Sequence, residues 1–150
     1  MTLDVYFSYA EMLEQVHKRL EYFGGKSAVT SDDFFRIKSC SADNAMLRTF
    51  IESSISWLVI SLRRKCSWAD IRMDQVTFTI DSGSDSYSGY EEILGCSVRE
   101  IIINRTVALW FFLFDYTFGK VLLDKAQSGL DILLESIRNP KAKPRRVPPL

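Results

Sequence analysis

Apolar residues recur along this chain with two different periods, and the change of period divides it into elements. From Met12 the spacing of Met12, Leu13, Val16, Leu20 and Phe23 follows a helical face. Ser8 and Glu11 stand at capping-box spacing, with Phe7 and Met12 at the staple positions, and Gly24-Gly25 is the expected stop. A second helix is predicted from about Ala42, with Ser41 as N-cap. Its face carries Leu47, Phe50, Ile51, Ile55, Leu58, Val59 and Leu62, and Arg63-Arg64-Lys65 complements its C-terminal dipole.

The third predicted helix, capped by Ser97 with Glu100 three residues on, is apolar on two opposite faces. Val98, Ile101, Ile102, Leu109, Phe112 and Leu113 form one face, and Ile103, Val107, Trp110, Phe111 and Phe114 form the other. Such a helix is buried nearly all round, either inside its own fold or against another chain. A fourth runs from about Lys120 to Arg138, with Leu123, Ala126, Leu130, Leu133, Leu134 and Ile137 at 3-4 spacing, and Gly119 is expected to separate it from the third. Between the second and third helices the period drops to two. Val76, Phe78 and Ile80 alternate with Thr77, Thr79 and Asp81, as a half-buried strand does, and Leu3, Val5 and Phe7 offer a second such run. The segment Asp81 to Tyr90 is rich in turn residues and reads as an exposed, mobile loop.

These elements predict a mainly all-α fold, a bundle of about four helices with a small strand or hairpin insertion at about residues 71–95. Residues 1–139 form a single domain, and 140–150 form an extended arm. All four prolines lie in that arm, together with four cations and no acid. Proline fixes φ and removes a backbone donor, so the arm cannot continue a helix or enter a central strand. It is expected to be mobile in the isolated subunit and ordered against a neighbour, with Pro144, Arg145, Arg146, Val147 and Leu150 making the contact. If the second apolar face of the third helix is an interface, Trp110, Phe111 and Phe114 belong to it.

Length and composition suit one soluble domain: 150 residues, 47% hydrophobic and 25% charged, with 13% aromatic on the rich side. Nineteen basic and nineteen acidic residues balance, but the four arm cations leave residues 1–139 at about −4. The body as a whole therefore should not attract nucleic acid. Arg63, Arg64 and Lys65 are the candidate contact to a DNA backbone, where cations supply the sequence-independent part of binding. Cys40, Cys66 and Cys96 contain no C-x-x-C pair and are odd in number, which points to a reducing compartment. Met1 to Phe7 has neither a basic region nor a cleavage site, so no signal peptide is expected. Val107 to Phe114, the longest apolar stretch, is far short of the roughly 20 residues a membrane span needs.

No grouping of residues states a reaction. Asp81, Asp85 and Glu92 fit three positions of a calcium loop, but Gly83 and Ser86 break two others, so no metal is expected. His17 is the single histidine and reads as a surface residue at the edge of the first helix's stripe. The pairs Asp32-Asp33 and Glu91-Glu92 are sequence neighbours, as in solvated turns or helix starts. Gly24-Gly25 ends a helix instead of opening one, so it is no phosphate cradle. Arg105 falls on an apolar face, where its stem packs and its head snorkels or pairs across an interface. No catalytic residue, cofactor or metal site is expected, and the chain reads as a non-enzymatic protein.

A capped helix opening at Ser41 to Glu52, a variable middle, the strongly apolar run Val98 to Phe114 and a last helix through Lys125 to Ile137 follow in this order. Over residues 41–139 that order resembles the small helical head-to-tail connector, or head-completion, proteins of tailed bacteriophages and prophages. The resemblance implies a homo-oligomeric ring, commonly of twelve subunits, docked on a portal or tail protein around a DNA channel, in the virion or the host cytoplasm. The alternative is a soluble cytoplasmic adaptor or regulatory protein acting by helix packing.

Overall fold

The computed structural model of the protein describes residues 2–27, 41–62, 66–71, 75–81, 89–139 and 141–150. Strand β1 (Thr2–Ser8) runs straight into α1 (Tyr9–Ser27), because Ser8 Oγ accepts from Glu11 N at 3.2 Å and caps the helix. A single 3₁₀ turn (Ser41–Asp43) leads into α2 (Asn44–Ser61). Strands β2 (Cys66–Ile71) and β3 (Gln75–Asp81) follow, then α3 (Tyr90–Phe112) and α4 (Tyr116–Arg138). The predicted mainly helical bundle of four helices with a small β element is present. The strands form an antiparallel sheet in the order β1-β3-β2, with Thr2 opposite Asp81, Val5 opposite Phe78 and Ile71 opposite Val76. The N-terminal alternation is thus a full strand, β3 is the central one, and β2 lies at the other edge, ahead of the insertion expected at about 71–95.

Several expected boundaries move. α1 continues through Gly24-Gly25 to Ser27, since glycine weakens a helix by only about 1 kcal/mol and ends it only when a cap takes over. α3 begins at Tyr90 and not at Ser97. Gly89 stands before it at φ +78°, a backbone conformation that favours glycine, and Glu91 and Glu92 complement the dipole of the first turn. Ser97 is therefore a buried residue inside the helix. α4 begins at Tyr116, where the Asp115 carboxylate accepts from Phe118 N at 3.1 Å, so Gly119 lies within the helix and not ahead of it. The turn-rich stretch 82–88 lies outside the described residues, as do Asp32, Asp33, Cys40, Arg63, Arg64 and Lys65.

α3 is the centre of the fold. It packs on α1, α2, β1 and α4, and four consecutive residues, Ile101 to Asn104, are all buried. That arrangement resolves its two apolar faces: both are used inside the chain as far as the end of α3, and Leu113 and Phe114 just beyond it stay exposed. The core formed around it takes Val5 and Phe7 from β1, Val16 and Leu20 from α1, Leu47, Ile51 and Ile55 from α2, and Leu130 and Leu133 from α4. Trp110 and Phe111, expected at an interface with another chain, are 4% and 1% exposed in this one. Phe111 meets Phe23 and Phe118 edge-on, with ring centroids at 5.9 and 5.2 Å.

Buried polar groups on these helices are largely satisfied. Ser54 and Thr106 donate to carbonyls one turn back and face each other across α2 and α3, and Tyr90 Oη donates to Ser136 O at 2.9 Å, tying the start of α3 to the end of α4. Tyr9 Oη is the exception among the described residues, buried without a hydrogen-bond partner. Burial, with Glu52 nearby, raises its pKa, so the hydroxyl stays protonated, and Arg48 stacks 4.2 Å from the ring centroid. Tyr9→Phe keeps that stacking and removes the unpaired group. It should stabilise the fold by about 1 kcal/mol, read as a melting temperature raised by about 2–4 °C. A lowered melting temperature would mean that the hydroxyl has a partner in solution.

Candidate functional site

Three surfaces around α3 carry the features a function can use. The first is the elbow between α3 and α4. Leu113, Phe114 and Asp115 donate their backbone N–H groups to Trp110 O and Phe111 O at 2.9–3.1 Å, and Gly119 N closes on Asp115 O at 2.9 Å. The turn is held by backbone, which frees its side chains. Leu113 is 55% exposed, Phe114 38% and Tyr116 64%, while Trp110 backs Phe114 at 5.4 Å and Phe112 backs Tyr116 at 4.6 Å between ring centroids. These are large apolar groups supported from behind and presented together, unlike the scattered Tyr22, Met46 and Ile60. The elbow is tight because Gly119 lets it be: a Cβ there would lie 2.6 Å from Phe112 Cα.

The second surface is a cleft of about 370 Å³ between β1, α1 and α3. Phe7, Met12 and Ile103 form its apolar floor, and Glu11, Glu14, Arg19, Arg99 and Glu100 stand around it. Arg19 grips Glu100 with both ends of its guanidinium, one contact at 2.9 Å, and also donates to Asn104 Oδ1 at 2.9 Å. Arg99 donates to Tyr6 O at 2.7 Å and so pins β1 to α3. Arg19, Arg99 and Glu100 are thus spent on each other and on the backbone, and Glu14 pairs with Lys18 at 3.0 Å. Cys96 lies at its edge, exposed and unpaired with another cysteine.

The third surface is the α3–α4 groove, and here the structure departs from expectation. The C-terminal arm packs on its own body. Pro144 is buried, Val147 is 6% exposed, and Leu150 packs against the core. Val147 N donates to Ser97 Oγ at 3.4 Å, and Asn104, held on its other side by Arg19, donates Nδ2 to Pro148 O at 3.1 Å. Arg145 reaches Glu135 at 3.9 Å, and Arg146 is exposed. The physical reason is the seat on α4. Gly129 has no side chain, and Val147 Cγ1 lies 2.8 Å from where its Cβ would be. Pro144, Val147 and Leu150 thus find buried area that the arm's sequence does not advertise.

The remaining sequence candidates are dispersed. His17 is half-buried, with Nε2 at 2.6 Å from Asn44 Oδ1, a tether from α1 to the start of α2 instead of a free surface residue. Arg105 keeps its half-buried head inside the chain: Nη1 donates to Ser53 Oγ and Ser54 Oγ, both at 3.3 Å, and the guanidinium lies 5.0 Å from the Trp57 centroid. Burial lowers its pKa. Glu91 and Glu92 are exposed in the first turn of α3. Among the described residues no cluster of His, Cys, Asp and Glu is arranged to hold a metal, and no helix is long and apolar enough to cross a membrane. The Arg19–Glu100–Asn104 network and the Gly129 seat had no signal in the sequence, since each joins residues from elements far apart in the chain. Comparison with protein-family models, with curated proteins and with solved structures finds no match to this chain.

Proposed function

We infer that this protein is a non-enzymatic assembly subunit that docks through the apolar elbow between α3 and α4. The observation that carries the reading is the group Leu113, Phe114 and Tyr116, exposed together around a turn held by its own backbone hydrogen bonds. Fully covering such a side chain from water contributes about 1.5–3 kcal/mol, and covering what these three leave exposed about half of that each before ordering costs, enough together for association at the concentrations of an assembly. The resemblance in helix order makes the assembly a head-to-tail connector ring of a tailed bacteriophage or prophage. In that reading the elbow faces a neighbouring subunit or the portal or tail protein, the basic Arg63-Arg64-Lys65 run touches DNA phosphates without sequence preference, and the protein resides in the virion or the host cytoplasm.

The test is a triple variant, Leu113→Ser, Phe114→Ser and Tyr116→Ser, compared with the unaltered chain by sedimentation velocity and negative-stain microscopy. The unaltered chain should form closed rings, alone or on purified portal protein, and the variant should remain a monomer of unchanged helical circular dichroism. Its association should weaken by about two orders of magnitude or more. Association equal to that of the unaltered chain would remove the elbow from the mechanism. A one-to-one complex with a cellular protein, without rings, would favour the adaptor.

A further inference from the structure

The last residues of this chain form a complex with their own body, and its geometry is that of a receptor and a ligand. Val147 is the knob, seated over Gly129 of α4. Two polar groups of α3 read the adjoining backbone: Ser97 Oγ accepts from Val147 N, and Asn104 Nδ2 donates to Pro148 O. Beyond them Pro148, Pro149 and Leu150 line a recess of about 260 Å³ with Lys125, Ser128 and Ile132. A pocket for one apolar side chain beside hydrogen bonds to the neighbouring backbone is a general way to hold an extended segment.

None of these contacts depends on the arm belonging to the same chain. We propose that the α3–α4 groove is a binding site for the C-terminal arm of a second copy of this protein, so that subunits exchange arms. The connection favours this. Asn139 leaves the helix at φ −127° and ψ 69°, and one short turn, Ala142 N donating to Asn139 O at 3.2 Å, separates α4 from the bound segment. Redirecting the arm therefore reorganises a few residues and leaves the body alone, the usual low-cost route to a swapped assembly. Among the described residues the arm's ion pair, Arg145 with Glu135, is 68% and 71% exposed, so shape and the two backbone contacts, one buried and one partly buried, hold the arm, and these are the same from either chain. The prolines restrict the released arm toward an extended form, which lowers the entropy lost when it binds again. The two arrangements then differ mainly by effective concentration: the chain's own arm wins when dilute, and a neighbour's arm competes in an assembly. This inference rests on the groove alone and stands whether or not the elbow docks a partner.

The full-length chain carrying the photo-crosslinking residue p-benzoylphenylalanine at position 149 is mixed with an equal amount of ¹⁵N-labelled unaltered chain, and the crosslinked peptides are weighed after irradiation. Crosslinks from position 149 to ¹⁵N-labelled peptides spanning Lys125 to Ile132 should appear and grow with concentration. They should be lost when the labelled chain carries Gly129→Val, which fills the seat. Crosslinks confined to the chain's own α4 at every concentration would overturn the proposal. A second measurement, made in chains that also carry Leu113→Ser, Phe114→Ser and Tyr116→Ser so that the elbow cannot associate, pairs Gly129→Val, whose arm is intact, with Val147→Asp, whose groove is intact. Each should sediment as a monomer and the mixture as a one-to-one heterodimer, and a mixture of folded monomers would equally refute exchange.

Discussion

Phe111→Glu should abolish the native fold. The ring is 1% exposed between Phe23 and Phe118, at the end of the helix that every other helix touches. Removing it costs about 3–5 kcal/mol through lost transfer energy and the cavity left behind. A carboxylate in its place adds several kcal/mol, because no described cation lies against this ring. Against a total stability of about 5–15 kcal/mol, the sum leaves little or no folded protein. Far-UV circular dichroism of the variant should show loss of the helical signal, and Phe111→Ala should fold with a melting temperature lowered by about 6–20 °C. A Phe111→Glu chain that keeps its helical spectrum and a cooperative melt would return this ring to the surface and to an interface between chains.

Gly119→Ala sets two effects of opposite sign against each other. Alanine inside α4 is favoured over glycine by about 1 kcal/mol through helix propensity alone. The added Cβ, however, would stand 2.6 Å from Phe112 Cα and 2.7 Å from Phe112 N. Those are backbone atoms of the adjoining helix, so no side chain can swing aside and the elbow itself must open. Overpacking of this kind costs about 1–3 kcal/mol, and the clash should outweigh the propensity. The expected result is a melting temperature lowered by about 2–8 °C together with weaker association, because Leu113, Phe114 and Tyr116 ride on the turn that moves. A variant more stable than the parent would mean that the elbow is more open in solution.

Local rules accounted for the elements. The Ser8 cap, the 3-4 stripes of α1, α2 and α4 and the period-two run at Val76, Phe78 and Ile80 are interactions among near neighbours, and each appears where its spacing places it. Boundaries were harder for a local reason as well. Gly24-Gly25 and Gly119 look alike as helix stops, yet the first pair lies within α1 and the other is required inside α4 by the approach of Phe112. The two apolar faces of α3 were legible, but not their partners: whether Trp110 and Phe111 meet another chain or their own depends on where α1 and α4 come to lie.

The same division separates the candidate sites. The arm's prolines and cations are visible in the chain, and they establish that residues 140–150 cannot extend a helix. They say nothing of Gly129, eighteen residues before Val147 and on a different element, which supplies the seat. Arg19, Glu100 and Asn104 meet over separations of more than eighty residues, and Asn104 then reaches Pro148. With the exception of β2, for which the pattern predicts no strand, sequence by itself determined which segments are helix, strand and arm, because those choices are made by dihedral preference and by spacing within a few residues. Only the tertiary structure decided which faces are core, which are groove and which remain at the elbow, because burial is a property of pairs of surfaces and the second surface of each pair lies elsewhere in the chain.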